Sequence, residues 1–173
     1  MKLPRSLFGG LSKNVILLGI VSMLTDISSE MIFPILPLFL VNILHTDVSI
    51  VGLIDGLAES TADITKLISG WYSDKIGKRK PFVLFGYGLS TVTKPLFAIA
   101  TMWQSVFAIR FADRVGKGLR VSARDVMVVE STEKRFMGKA FGFRKMMDSL
   151  GAVIGPLLAF ALLPLLASAT DPS

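Results

Sequence analysis

Asp26 and Glu30 stand four residues apart in a long apolar run, a spacing that puts both carboxylates on one helix face. The next apolar run carries Asp55, Glu59 and Asp63 at i, i+4 and i+8, followed by Lys66. Further on, Arg110, Asp113, Arg114 and Lys117 fall at i, i+3, i+4 and i+7, with Arg120 and Arg124 beyond them. Lys94 is isolated in a run of its own, and Arg144, Lys145 and Asp148 open the last one. Ionisable groups in such surroundings are expensive in lipid, and by default they face a bundle interior or a water-filled cavity. Glu30, Glu59 and Arg114 lie within a few residues of the middle of their runs. At about 1.5 Å of rise per residue, an acidic face on the first two helices therefore meets a basic face on the fourth at similar depth. The pattern predicts a polar central cavity lined by Asp26, Glu30, Glu59, Arg110, Asp113 and Arg114, with a carboxylate that changes protonation as the protein moves. It also fits a buried charge network that does no more than fix helix packing. Arg120, Arg124, Arg144 and Lys145 are expected to reach the cytoplasmic interface by snorkelling.

Five apolar blocks must position these groups. The chain has 173 residues, 51% hydrophobic and 18% charged, with a mean hydropathy of +0.61. A span needs about 20 mostly apolar residues, and the blocks supply candidates at 14–43, 48–72, 82–101, 103–129 and 137–167. The fold class expected is an all-α integral membrane bundle of about five helices, in one domain. The fourth span is the least apolar, and hydropathy alone would pass over it. The first begins like a signal peptide, with Lys2, Arg5 and Lys13 ahead of an apolar run. No small-residue cleavage site follows Met23, and the apolar pattern resumes through Pro34 and Pro37, so a retained helix is expected.

Composition excludes several chemistries. Cysteine is absent, which removes disulfides, thiolate metal sites and thiol nucleophiles. The single histidine, His45, leaves no His-rich metal site and no Ser/His triad. No cofactor is expected. The net charge of +6 would point to nucleic acid on a soluble protein. Here Lys and Arg fill alternate breaks instead: Lys2, Arg5 and Lys13, then Lys75, Lys78, Arg79 and Lys80, then Lys134, Arg135 and Lys139. The breaks at His45–Asp47 and near Met102, and the tail after Leu166, have none. By the positive-inside rule the amino terminus is cytoplasmic and the carboxyl terminus of this chain lies outside. The cations are a topology signal, and no nucleic-acid partner is expected.

Between the second and third spans stands Gly70-Trp-Tyr-Ser-Asp74-Lys75-Ile-Gly77-Lys78-Arg79-Lys80-Pro81. Gly70 at a helix end lets a neighbouring helix approach closely. Asp74 can bind the positive end of another helix or pair with an arginine. Gly77 allows a tight turn, and the three cations after it prefer the anionic inner leaflet. As a whole, G-x-x-x-D-K-x-G-K-R-K closely resembles the loop signature, motif A, of the major facilitator superfamily of secondary transporters. Arg110-Phe-Ala-Asp113 with Gly116 resembles that superfamily's motif B, with Arg114 standing where a glycine is usual. Gly142, Gly151, Gly155 and Pro156 fit the opening of motif C, associated with antiporters, although Ala159-Phe160 replaces its closing glycine pair. Pro34-Ile-Leu-Pro37 resembles the P-x-x-P of the same proton-coupled drug antiporter group. Independently of any family, Gly151-x-x-x-Gly155 and Gly52-x-x-x-Gly56 read as small-residue packing faces, and Pro156 removes a backbone donor.

The resemblance implies the amino-terminal portion of a transporter whose substrate, a small molecule, binds between two halves near the midplane. It implies that the motif A loop is a cytoplasmic latch, with Asp74 meeting the other half. It also implies that Arg110 assists proton movement to or from a carboxylate, placed at Glu30 or Asp26 with Glu59 as third choice. The partners expected are the lipid bilayer of the plasma (inner) membrane, protons and a carboxyl-terminal half beyond Ser173; five spans alone are not expected to transport. Two alternatives belong to other classes. A membrane phosphotransferase of the CDP-alcohol type needs Mg²⁺-binding aspartates, and Lys78 occupies the place of the last of them. A short membrane interaction or assembly protein would use the same helices without transport.

Overall fold

The computed structural model describes residues 9–170, with side chains as far as residue 164. Lys2 and Arg5 of the basic amino-terminal segment, and the last three residues of the tail, lie outside the described residues. Helix α1 covers Lys13–Ile32, and the Ser12 hydroxyl caps it by accepting from the Val15 N–H at 3.3 Å. The first span is not one unbroken helix. It turns at residues 33–34, resumes as a short α2 (Ile35–Leu38), and finishes in a π-helical turn over Phe39–Ile43. Pro34 and Pro37 bring no backbone N–H, and the last turn closes through wide bonds, Leu44 N–H to Phe39 and Thr46 N–H to Leu40.

Helix α3 (Val48–Ile76) ends on Gly77, whose φ of +70° is a left-handed stop suited to glycine. Helix α4 (Lys80–Leu96) starts with Pro81 in its first turn, carries Pro95 in its last and runs into a 3₁₀ turn over Phe97–Ile99. Helix α5 is Trp103–Glu130, and α6 is Met137–Thr170 with Pro156 and Pro164 inside it. Among the described residues, three segments are long and apolar enough to cross a membrane: 13–43, 80–99 and 134–164. Helices α3 and α5 have 29 and 28 residues, ample for a core about 30 Å thick, but their charges lower their hydropathy. Hydropathy therefore passes over the second span as well as the fourth. Large apolar side chains such as Leu17, Leu67, Phe85 and Phe160 point outward, as an integral membrane protein requires.

Packing follows two groups. Helix α5 is held between α3 and α4, while α1 lies along α6. Small residues set both contacts. A Cβ on Gly116 would lie 2.9 Å from the Gly86 carbonyl oxygen of α4, and one on Gly118 2.6 Å from the Ala62 carbonyl oxygen of α3.

The start of α3 carries a pH dependence of its own. The exposed Asp47 carboxylate accepts from the Ser49 N–H at 3.0 Å and from its hydroxyl at 2.9 Å. These bonds, the backbone one foremost, hold its pKa below the ordinary carboxylate range. The cap is therefore fully present above that range and lost as pH falls through the lowered value. Hydrogen-exchange protection of the first turn of α3 is expected to hold down through the ordinary carboxylate range and to be lost only at more acidic pH, as the lowered pKa is passed. Asp47→Asn, which caps without titrating, should keep its protection throughout; a pH-independent wild type would contradict the assignment.

Candidate functional site

Three layers of charge lie across α5. In the first, Arg110 pairs with Asp55 at 3.2 Å and Arg114 with Glu59 at 2.8 Å, both across the α3–α5 contact. The two guanidinium carbons stand 4.6 and 5.9 Å from the Phe33 ring centroid, so the residue at the break after α1 offers its π face to both cations. Asp113 is buried one turn away and accepts from the Thr93 hydroxyl at 3.4 Å.

The second layer corrects an expectation. Arg120 and Arg124 do not snorkel to the interface: they are 2% and 3% exposed. Arg120 pairs with Asp26 at 2.9 Å and lies over the Tyr87 ring at 4.8 Å. Arg124 donates to both oxygens of Asp148, at 3.2 and 3.3 Å, and to the Ser22 hydroxyl, which itself donates to Asp148 at 2.8 Å. Arg144, also largely buried, donates to Asp125. Partners at helical reach make burial cheaper than a path to water, because a paired and hydrogen-bonded charge recovers much of its desolvation cost. These three arginines and three aspartates form a polar seam that joins the α1–α6 pair to α5.

Next to the seam is a cavity of about 330 Å³ between α1, α3, α5 and α6, with Asp26, Glu30, Lys66 and Lys117 among its lining residues. The acidic residues divide here. Asp26 and Glu59 each hold a guanidinium, whereas Glu30, half-buried, has no cation within ion-pair distance among the described residues. Gly151 and Gly155 of α6 let α1 approach closely beside it: a Cβ on them would lie 2.9 Å from Asp26 Cβ and 2.7 Å from Glu30 Cβ. Pro156 follows within the same helix, half-buried. Gly142 takes no part in this contact, since a Cβ there would meet nothing within 4 Å; Gly52 and Gly56 are equally open.

The third layer is the loop after α3. Arg79 donates to the Ser73 carbonyl and pairs with Asp74 at 3.0 Å and Glu130 at 3.6 Å, which ties the end of α3 to the end of α5. Gly70 lies against α5, where a Cβ would come 2.6 Å from the Ser122 hydroxyl. Lys75 lies 5.3 Å over the Trp71 ring, and Lys78 is exposed. Ser22, Phe33 and Asp125 are among the participants that escaped sequence reasoning, as are Tyr87, Thr93 and Glu130. Ser22 had a signal, since Ser22, Asp26 and Glu30 are spaced by four. Phe33 and Asp125 had none, because an apolar residue in an apolar run and an acid among arginines carry no distinctive pattern.

A family model described as Major Facilitator Superfamily matches residues 18–167. The chain is 42% identical over 149 residues to an uncharacterized MFS-type transporter, MJ1317, of Methanocaldococcus jannaschii, covering 86% of this chain and 37% of the relative. It is 32% identical over 136 residues to the efflux pump azaK of Aspergillus niger, covering 76% of this chain and 28% of that protein. It is 26% identical over 152 residues to the multidrug resistance protein MdtG of Salmonella typhimurium, covering 86% and 37%. This chain thus spans under two fifths of the length of each of these curated relatives. No solved structure matches it.

Proposed function

Because the chain belongs to the major facilitator superfamily, we propose that it forms the amino-terminal part of a secondary active transporter, which moves a small solute across the plasma (inner) membrane by proton-coupled alternating access. Membership sets the phosphotransferase alternative aside, since the superfamily's members are transporters. The relatives' greater length supports a pathway completed by a second half. The alternation of basic and non-basic breaks supports a cytoplasmic amino terminus. In this reading Asp74, exposed and held among the described residues by Arg79 alone, exchanges that partner for the other half as the pathway closes.

The observation that carries the coupling is the contrast between Glu30 and its neighbours. A proton carrier must lose its charge without stranding a buried cation. Asp26 and Glu59 would each leave an arginine unpaired, whereas Glu30 would not. Glu30 is therefore the coupling carboxylate, ahead of Asp26, and Arg110, paired with Asp55 and outside the lining of this cavity, acts on it by its field rather than by contact.

The test is flux in proteoliposomes under an imposed pH gradient, using the full-length transporter that carries this chain and phosphate, succinate and tetraphenylphosphonium as probes. Glu30→Gln is expected to abolish gradient-driven accumulation while leaving probe exchange at equal pH. Asp26→Asn should lower the yield of folded protein instead. Intact coupling in Glu30→Gln would overturn the assignment, and no gradient-driven flux of any probe in the wild type would favour the assembly alternative.

A further inference from the structure

We propose that the cavity between α1, α3, α5 and α6 binds an oxyanion carrying two negative charges, of the phosphate or dicarboxylate class, which defines the substrate of the transport reading on which this inference rests. Charge balance is the argument. The three arginines of the seam are matched one for one by its three aspartates: Arg120 with Asp26, Arg124 with Asp148, and Arg144 with Asp125. That internal neutralisation removes six of the ionisable groups facing the cavity. What remains on its wall is Lys66 from α3, Lys117 from α5 and Lys145 from α6, against Glu30 from α1. None of these three lysines has a carboxylate within ion-pair distance among the described residues. The wall therefore carries two uncompensated positive charges.

Position makes that excess count. Three lysines line one cavity from three different helices, so their ammonium groups can reach a shared guest. A cavity of about 330 Å³ admits an ion of this size with part of its water. In surroundings of lower dielectric than water, an uncompensated charge favours a counter-charge more strongly than it would on an open surface. Each ammonium can donate a charge-assisted hydrogen bond to an oxygen. A lipophilic cation would instead meet a net positive wall whose aspartates are already engaged. When Glu30 takes a proton the excess rises by one, so proton binding and anion binding favour each other, as linkage requires.

A free phosphate and a phospholipid headgroup present the same chemistry, and the experiment separates them. The protein in maltoside micelles without added lipid is titrated calorimetrically with inorganic phosphate and with succinate at low chloride, then with phosphatidic acid in mixed micelles. Tetraphenylphosphonium is the opposite-charge control. Saturable binding of phosphate or succinate without lipid assigns the site to a soluble anion, and binding of phosphatidic acid alone assigns it to a headgroup. In either case Lys117→Gln and Lys66→Gln are each expected to weaken binding about tenfold, the effect of losing one charge-assisted bond. Lys117→Arg, which keeps the charge, should restore most of it. Absence of binding by all three anions, affinities unchanged in both glutamine variants, or preferential binding of the cation would overturn the proposal. The last outcome would leave the transport reading intact, because gradient-driven flux of tetraphenylphosphonium would still report transport.

Discussion

Arg124→Ala is expected to destabilise the helix bundle by about 3–5 kcal/mol, the cost of breaking a buried pair from one side. Among the described residues the guanidinium is the only cation that donates to both Asp148 oxygens, and it also engages Ser22 and Asp125. Its loss leaves Asp148 with the Ser22 hydroxyl and a distant Arg144 at 3.9 Å. The α1–α6 pair has few other contacts with α5, so the deficit falls where little else compensates. Unfolding by a denaturing detergent, followed through the fluorescence of Trp71 and Trp103, measures it. The double variant Arg124→Ala/Asp148→Ala should recover most of the loss, since removing both charges also removes the stranded one. A single variant as stable as the wild type would show that water reaches Asp148 and solvates it.

Gly118→Ala should cost about 1–3 kcal/mol by overpacking, although alanine is the better helix former by nearly 1 kcal/mol. The added carbon would lie 2.6 Å from both the Ala62 carbonyl oxygen and Thr65 Cβ, and 3.0 Å from the Lys66 nitrogen. Backbone atoms cannot swing aside, so α3 must move as a whole. That movement also stretches the hydrogen bond from the Ser69 hydroxyl to the Gly118 carbonyl, now 3.2 Å, and disturbs the Arg114–Glu59 pair on the same interface. Gly52→Ala is the matched control, because a Cβ there meets open space. It should be neutral or slightly stabilising by the same unfolding measurement. Equal effects at the two positions would remove the case for a close α3–α5 contact at Gly118.

Apolar blocks, alternating basic breaks and the motif A loop made the helical membrane class readable from the sequence alone, because lipid imposes length and composition directly. The α3–α5 pairs were also within reach, since Asp55 and Glu59 repeat at four residues, as do Arg110 and Arg114. The fate of Arg120 and Arg124 was not. Their place near the helix ends pointed to snorkelling, whereas burial depends on Asp26 and Asp148 arriving from helices more than 20 residues distant in sequence. The small-residue faces divide for the same reason. Gly151 and Gly155 meet α1, while Gly52 and Gly56 meet open space; an x-x-x spacing says that a close contact is sterically allowed and leaves open whether a neighbour is there. Likewise, which of the cavity-lining carboxylates lacks a cation is a property of the assembled bundle, and no spacing rule singles out Glu30.

The pairing of α1 with α6 has a consequence for how the chain is made. Ser22 and Asp148 are 126 residues apart, and synthesis proceeds at about 5–20 residues per second. For roughly 6–25 seconds the first helix is out of the ribosome before its principal neighbour exists. During that interval α3, α4 and α5 emerge and can pack about α5, which brings Arg120 to Asp26, while Ser22 still waits for Asp148. A lone helix with an aspartate at that depth is poorly held by lipid, so α1 is expected to settle in two steps, against α5 first and against α6 last. Packing of these helices therefore finishes at α1, the first of them to be made.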